Sequence, residues 1–239
     1  MKRVLFMVFI LCSFTFGAEF NMKTTYALIL NLQDNIGEIT DSPDIIVGSS
    51  GVVMHKFKDG SESIIARAVV TQKQNGFAKV RFEVFGSLKQ TALPIPKILP
   101  RVGDEIILNY LYDRSLIIVP NKEIYKEITE NFKNITFIHP DIVGAYLHYE
   151  YKPNPSREDF RKMCANSAAG LIFIALDGEA VFADCGSFEV LKRFKSGSVD
   201  YYQLPFYTRV QGIDTVFWKL DSAKINNYDE YYKRLLKEK

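Results

Sequence analysis

The sequence predicts an α+β protein: a small antiparallel β-barrel or sandwich half packed with an α/β half, and a C-terminal helix. Three observations carry that prediction. From Lys23 to Val84 apolar residues recur at a period of two between turn formers, as in half-buried strands. From Asn121 the period lengthens to that of helices, which alternate with short apolar runs. Between the two stretches lies a connector with Pro94, Pro96 and Pro100, followed by Gly103-Asp104.

The first residues read as a leader and not as fold. Lys2-Arg3 are positive, Val4 to Phe16 is a short apolar run, and Gly17-Ala18 are small. That order is a secretory signal peptide over residues 1–18, with cleavage expected after Ala18. Cys12 follows the bulky Ile10-Leu11, which argues against a lipid-modified cysteine. No later run reaches the ~20 apolar residues that span a bilayer. The expectation is therefore an exported chain, periplasmic or at the cell surface, with no membrane span after leader removal.

The β-rich part is expected over 19–120. Tyr26, Leu28, Leu30 and Leu32 fall on one face of a first strand. Asp41-Ser42-Pro43-Asp44 is a loop, and Ile45–Val47 and Gly51–Phe57 are strand segments. Lys58 to Ser61 turn the chain at Gly60 into a strand from Ser63 to Gln72. Asn75-Gly76 is the strongest hairpin signal, since a type I′ turn needs positive φ at both central residues. Beyond it Ala78, Val80, Phe82 and Val84 alternate with charged residues. Ile106–Tyr112 and Leu116–Val119, separated by Asp113-Arg114, read as a hairpin that closes this half.

The α/β part is expected over 121–225. Asn121 can cap a helix reaching Phe132, with Ile124, Ile128 and Phe132 on one face. Ile135–Ile138 is a short strand, and Pro140 suits the first position of the next helix. Ser156 with Asp159 resembles a capping box for a helix to Ala168. Leu171–Leu176 is wholly apolar, hence buried on both faces, and Asp177-Gly178 turns it into Ala180–Ala183. Tyr201–Val210 and Asp214–Leu220 read as further strands, and 226–239 as a C-terminal helix with Tyr228, Tyr231 and Leu235 at helical spacing.

Composition excludes several functions. The 18 Phe and 13 Tyr with a net charge of +2 are those of a folded chain, not a disordered one. Its 30 basic residues are scattered among 28 acids, whereas nucleic-acid binders gather theirs in a patch. No G-x-S-x-G elbow or phosphate-binding loop is present; Gly48-Ser49-Ser50-Gly51 reads as a bend. The three histidines lack ligand spacing, so neither metal nor cofactor is expected. His139, Asp141 and Asp184 are the residues an enzyme could use, but helix geometry and burial explain them as well. Cys164 and Cys185 remain after leader removal. They suit a disulfide of an exported protein and equally two small core residues.

The blocks GDEIILNYLYDRSLIIVPN, FIHPD and VFADCGSF, set in nearly the whole mature chain, resemble the N-terminal domain of plasminogen-binding protein A of epsilonproteobacteria such as Helicobacter and Campylobacter. The resemblance implies a non-enzymatic envelope protein whose partner is host plasminogen. A plasminogen site that reads an ammonium and a carboxylate together points to Lys239, which offers both as a last residue, with Lys237 supplying an ammonium alone. The alternative is a periplasmic scaffold or an envelope or flagellar assembly module. The two differ in location, which protease treatment of intact cells would report.

Overall fold

The computed structural model describes residues 20–85, 98–216 and 223–237. The signal peptide over 1–18, most of the Pro-rich connector and Lys239 lie outside the described residues.

Alternation in the first half builds a seven-stranded antiparallel sheet. Its strands are β1 (Thr25–Leu28), β2 (Asn31–Gln33), β3 (Ile36–Thr40), β4 (Ser50–Lys56), β5 (Glu62–Gln74), β6 (Phe77–Glu83) and β7 (Glu105–Leu108). The order is β1-β7-β4-β5-β6-β3-β2. β1 and β2 are two halves of one bent run: β1 pairs with β7, β2 with β3, and Leu30 N–H donates to Glu38 O at 2.8 Å between them. The sheet thereby curls into a small barrel. Ile29, Ile39, Val53, Val70, Val80, Ile106 and Leu108 fill its interior, with Ala66, Ala68 and Ala78 leaving them room. The Asn75-Gly76 turn has φ of 53° and 79°, as a type I′ hairpin requires. Tyr26, Leu28 and Leu30 do share a face, but it is the outer one; Ile29 takes the core position.

The second sheet is mixed, in the order β12-β11-β10-β8-β9. It consists of β8 (Arg114–Ile118), β9 (Thr136–Ile138), β10 (Leu171–Leu176), β11 (Glu179–Asp184) and β12 (Val190–Lys195). β8 runs parallel to β9 and β10. Helices cover both faces, which is why β8 and β10 read as unbroken apolar runs. On one face α1 (Lys122–Asn131) and the Phe132 that follows it pack on Ile117, Phe173 and Phe182. On the other, α2 (Pro140–Tyr149), α3 (Arg157–Ser167) and α4 (Tyr228–Lys237) pack on Leu116, Ile118, Ile172 and Ile174. The caps are those the sequence signals: Asn121 accepts from Ile124 N–H, and Ser156 forms the capping box with Asp159.

Two sequence expectations change, and one strand was not foreseen. Ile106–Tyr112 and Leu116–Val119 are no hairpin: β7 belongs to the first sheet and β8 to the second. Residues 109–113 carry the chain across, with Asn109 and Leu111 at φ of 56° and 60°. Residues 201–216 form no strand. They lie over the ends of the parallel strands, where Tyr207 N–H donates to Val119 O and Gln203 N–H to Pro120 O. β12, which carries the three exposed basic residues Lys192, Arg193 and Lys195, has no clear period-two apolar signal.

Candidate functional site

The two sheets meet where the carboxyl end of β11 faces the start of β4. The seam is built on Asp184, which is 0% exposed. One carboxylate oxygen accepts from Ser50 Oγ and, at 2.7 Å, from Tyr112 Oη. The other accepts from Arg67 Nη2 at 2.9 Å, Gly186 N at 3.0 Å and Ser187 N at 2.6 Å. These donors meet the rule that a buried charge must be paired and hydrogen-bonded. Ser50 and Arg67 come from the barrel, Tyr112 from the crossing segment, and Gly186 and Ser187 from the loop after β11. Arg67 holds Glu83 with its other Nη at 2.9 Å. Tyr112 Oη also accepts from Ser50 N–H at 2.9 Å. Burial, then the Asp184 charge, pushes the Tyr112 phenol well above its ordinary pKa, so the hydroxyl stays a donor.

Close approach explains two glycines here. A Cβ on Gly186 would lie 2.1 Å from the Arg67 guanidinium, and one on Gly51 2.0 Å from Ile107 O. Asn109, Leu111, Ala168 and Phe188 all adopt positive φ around this seam, a conformation that costs non-glycine residues energy. A cleft of about 400 Å³ opens beside it, lined by Arg67, Leu111, Arg161, Lys162, Cys164 and Cys185 among others. Cys164 on α3 and Cys185 after β11 stand with Cα atoms 6.3 Å apart and sulfurs in bonding contact, a separation at which a bridge closes.

The N-terminal segment laces the same seam. Phe20 stacks on Phe182 at 4.1 Å within the second sheet's core, and Asn134 Nδ2 donates to its carbonyl at 2.6 Å. Three residues on, Lys23 O accepts from Asn109 Nδ2 at 2.7 Å, and β1 then enters the barrel.

His139, Asp141 and Asp184 are not assembled into one site. His139 caps α2, its Nδ1 accepting from Asp141 N–H at 3.2 Å. Asp141 holds the 201–216 segment, accepting from Thr208 Oγ1 at 2.9 Å and from Arg209 N and Nε at 2.8 and 2.6 Å. Burial pushes its carboxyl up, but those donors outweigh it and hold it below the usual carboxylate range. Among the described residues no group of three potential ligands could hold a metal. Lys237 ends α4 and is exposed, while Tyr228, Tyr232, Leu235 and Leu236 of that helix are buried.

Asp184 was visible in the sequence; its partners were not. Ser50, Arg67 and Tyr112 stand 134, 117 and 72 residues away. The glycines flanking Ser49-Ser50 were the available signal, since invading backbone favours glycine.

The family model described as plasminogen-binding protein pgbA N-terminal matches residues 24–236. Two proteins called plasminogen-binding protein PgbA, from Helicobacter pylori strains J99 and 26695, are 30% and 31% identical over 199 residues. That alignment covers 82% of this chain and 43% of each relative, so the chain spans less than half the length of the relatives it matches. No solved structure matches.

Proposed function

This chain belongs to the plasminogen-binding protein pgbA N-terminal family, and from that premise we propose that it is an exported, non-enzymatic protein that binds host plasminogen. The observation that carries the reading is the extent of the match. Residues 24–236 take in the barrel, the mixed sheet and all but the last residue of α4, so the resemblance covers the folded unit rather than one motif. The relatives' name supplies the partner.

Export is supported by the charged, apolar and small order of residues 1–18. A chain beginning at Glu19 would keep Phe20 in its core. A Cys164–Cys185 bridge also suits an oxidising compartment. Among the described residues no helix is long and apolar enough to cross a membrane.

The finer reading is lysine recognition. The end of α4 is basic and exposed at Lys237. With Lys239 as last residue, ammonium and carboxylate stand together for an anionic, aromatic-lined site, with a cation–π contact of about 1–2 kcal/mol. Surface plasmon resonance on immobilised plasminogen tests this with the 239-residue chain and the same chain lacking Lys239. The reading expects a strong loss of binding on deletion and competition by free lysine analogues. Undiminished binding after deletion defeats the lysine mechanism while leaving the plasminogen assignment standing.

A further inference from the structure

We propose that the Cys164–Cys185 pair is a redox-controlled latch on the seam: its reduction by a dithiol removes the covalent tie between α3 and the loop after β11 and loosens the contacts that the barrel makes with that loop. The inference goes beyond plasminogen binding and does not depend on it.

The loop is the surface on which the barrel rests. Ser50 and Arg67 bind Asp184, the Arg67 guanidinium lies against Gly186, and Ser187 Oγ donates to Gly48 O at 2.9 Å. Gly48, Ser50 and Arg67 of the barrel all bond to these five positions, and Ser50 N–H reaches Tyr112 Oη besides. The loop itself is held to the layer behind it by the buried Phe188 ring and by a small number of polar ties. Arg161 Nε donates to Gly186 O at 2.6 Å, and Cys185 N–H donates to Gly170 O at 2.9 Å. The sulfur–sulfur contact joins α3 to the loop across 21 residues and is the covalent one. Closing a chain segment in this way restricts the alternatives open to it. Without the bridge, those two hydrogen bonds and the buried ring of Phe188, packed against Phe160 of α3 at 6.2 Å, remain to seat the loop, and no covalent tie does.

The chemistry has a route. Cys164 and Cys185 are only 4% and 3% exposed, yet both line the seam cleft. Arg67, Arg161, Lys162 and Glu158 line it too, with Arg67 paired to Asp184 and Glu83 and Lys162 to Glu150. A thiolate of the reductant attacks one sulfur, the S–S bond breaks, and the other cysteine leaves as a thiolate that takes a proton. The reductant's second thiol then attacks the mixed disulfide. Two electrons and two protons pass to the cysteines, and the reductant ends as a disulfide.

Hydrogen exchange read by mass spectrometry tests the latch on the intact protein, with and without dithiothreitol, while alkylation reports the state of both cysteines. Reduction should speed exchange at the seam amides of Ser50 and Cys185–Ser187 by about tenfold or more, with Leu171–Leu176 unchanged, because only the seam opens. The Cys164→Ser/Cys185→Ser variant should show the same pattern without reductant. Full reduction with no change at the seam overturns the proposal. So does equal loss of protection in both sheets, which would make the bridge a general staple. Cysteines that resist dithiothreitol in the folded protein overturn it as well, since the cleft would then admit no thiol.

Discussion

Replacing Asp184 by alanine should be among the costliest single changes in this protein. The side chain is wholly buried and accepts from five donors. Breaking a buried ion pair by removing one partner costs about 3–5 kcal/mol. Arg67 is 20% exposed and keeps Glu83, so its charge is not wholly stranded and the lower end applies. The Tyr112 and Ser50 hydroxyls lose an acceptor while buried, which adds about 1–2 kcal/mol. The sum, roughly 4–6 kcal/mol, is comparable with the whole stability of a typical domain. Asp184→Asn is the more measurable variant. It keeps the volume and one acceptor but sets an amide N–H against existing donors, for an expected loss of about 2–4 kcal/mol. Urea denaturation should show a lower midpoint at an unchanged slope. Combined with Ser50→Ala, the two losses should fail to add by at least about 0.5 kcal/mol, because the groups share one network. An Asp184→Asn protein within about 0.5 kcal/mol of the parent would show that the carboxylate does not hold the seam.

Phe20→Ala should cost about 3–5 kcal/mol by emptying the contact with Phe182, and a cost under 1 kcal/mol in the same urea assay would mean that the segment is not docked. Gly51→Ala should cost about 2–3 kcal/mol, since the added Cβ meets the Ile107 carbonyl; no change in thermal midpoint would contradict that contact. Stability should form a plateau in pH. Asp141 and Asp159 are each pushed up by burial but held below the ordinary 3.8 by their donors, Arg209 and Thr208 for one, Lys152 and Ser156 for the other. A lowered folded pKa gives stability that is complete above the unfolded value and drains as pH falls below 3.8 through the folded value. Burial and Asp159 push Tyr146 up to about 12 from 10.0, so its contribution is complete below 10.0 and is lost as pH rises through 12. A urea midpoint unchanged from neutrality down to about pH 2 would contradict the acid limb.

Local chemistry made most of the fold legible. Asn75-Gly76 can hardly be anything but a type I′ turn, Asn121 and Ser156 cap the helices they precede, and the apolar run of Leu171–Leu176 demands cover on two faces. What failed was pairing at a distance. Leu116–Val119 follows Ile106–Tyr112 so closely that a hairpin was the natural reading, yet positive φ at Asn109 and Leu111 sends the chain from one sheet into the other. The aromatic alternation of 201–207 imitates a strand, although its backbone bonds go to Val119 and Pro120 at a sheet's end. Asp184 could be noticed but not understood. Gly186 and Ser187 N–H are local donors to this carboxylate, but its other three stand more than seventy residues away, and nothing local encodes them. Lys237 is exposed at the end of α4, where the fold places no demand on the side chain that would mark it in the sequence.

The proposed function requires that this folded unit, matching its family over residues 24–236, itself binds plasminogen. The direct measurement is a solution titration of the oxidised 239-residue protein against plasminogen, by isothermal calorimetry at physiological salt, with the urea-unfolded chain exchanged back into buffer as a folding control. The account predicts saturable binding that a lysine analogue displaces. Absence of heat and of complex at concentrations up to about 100 μM, a free energy weaker than roughly −5.5 kcal/mol, would contradict it.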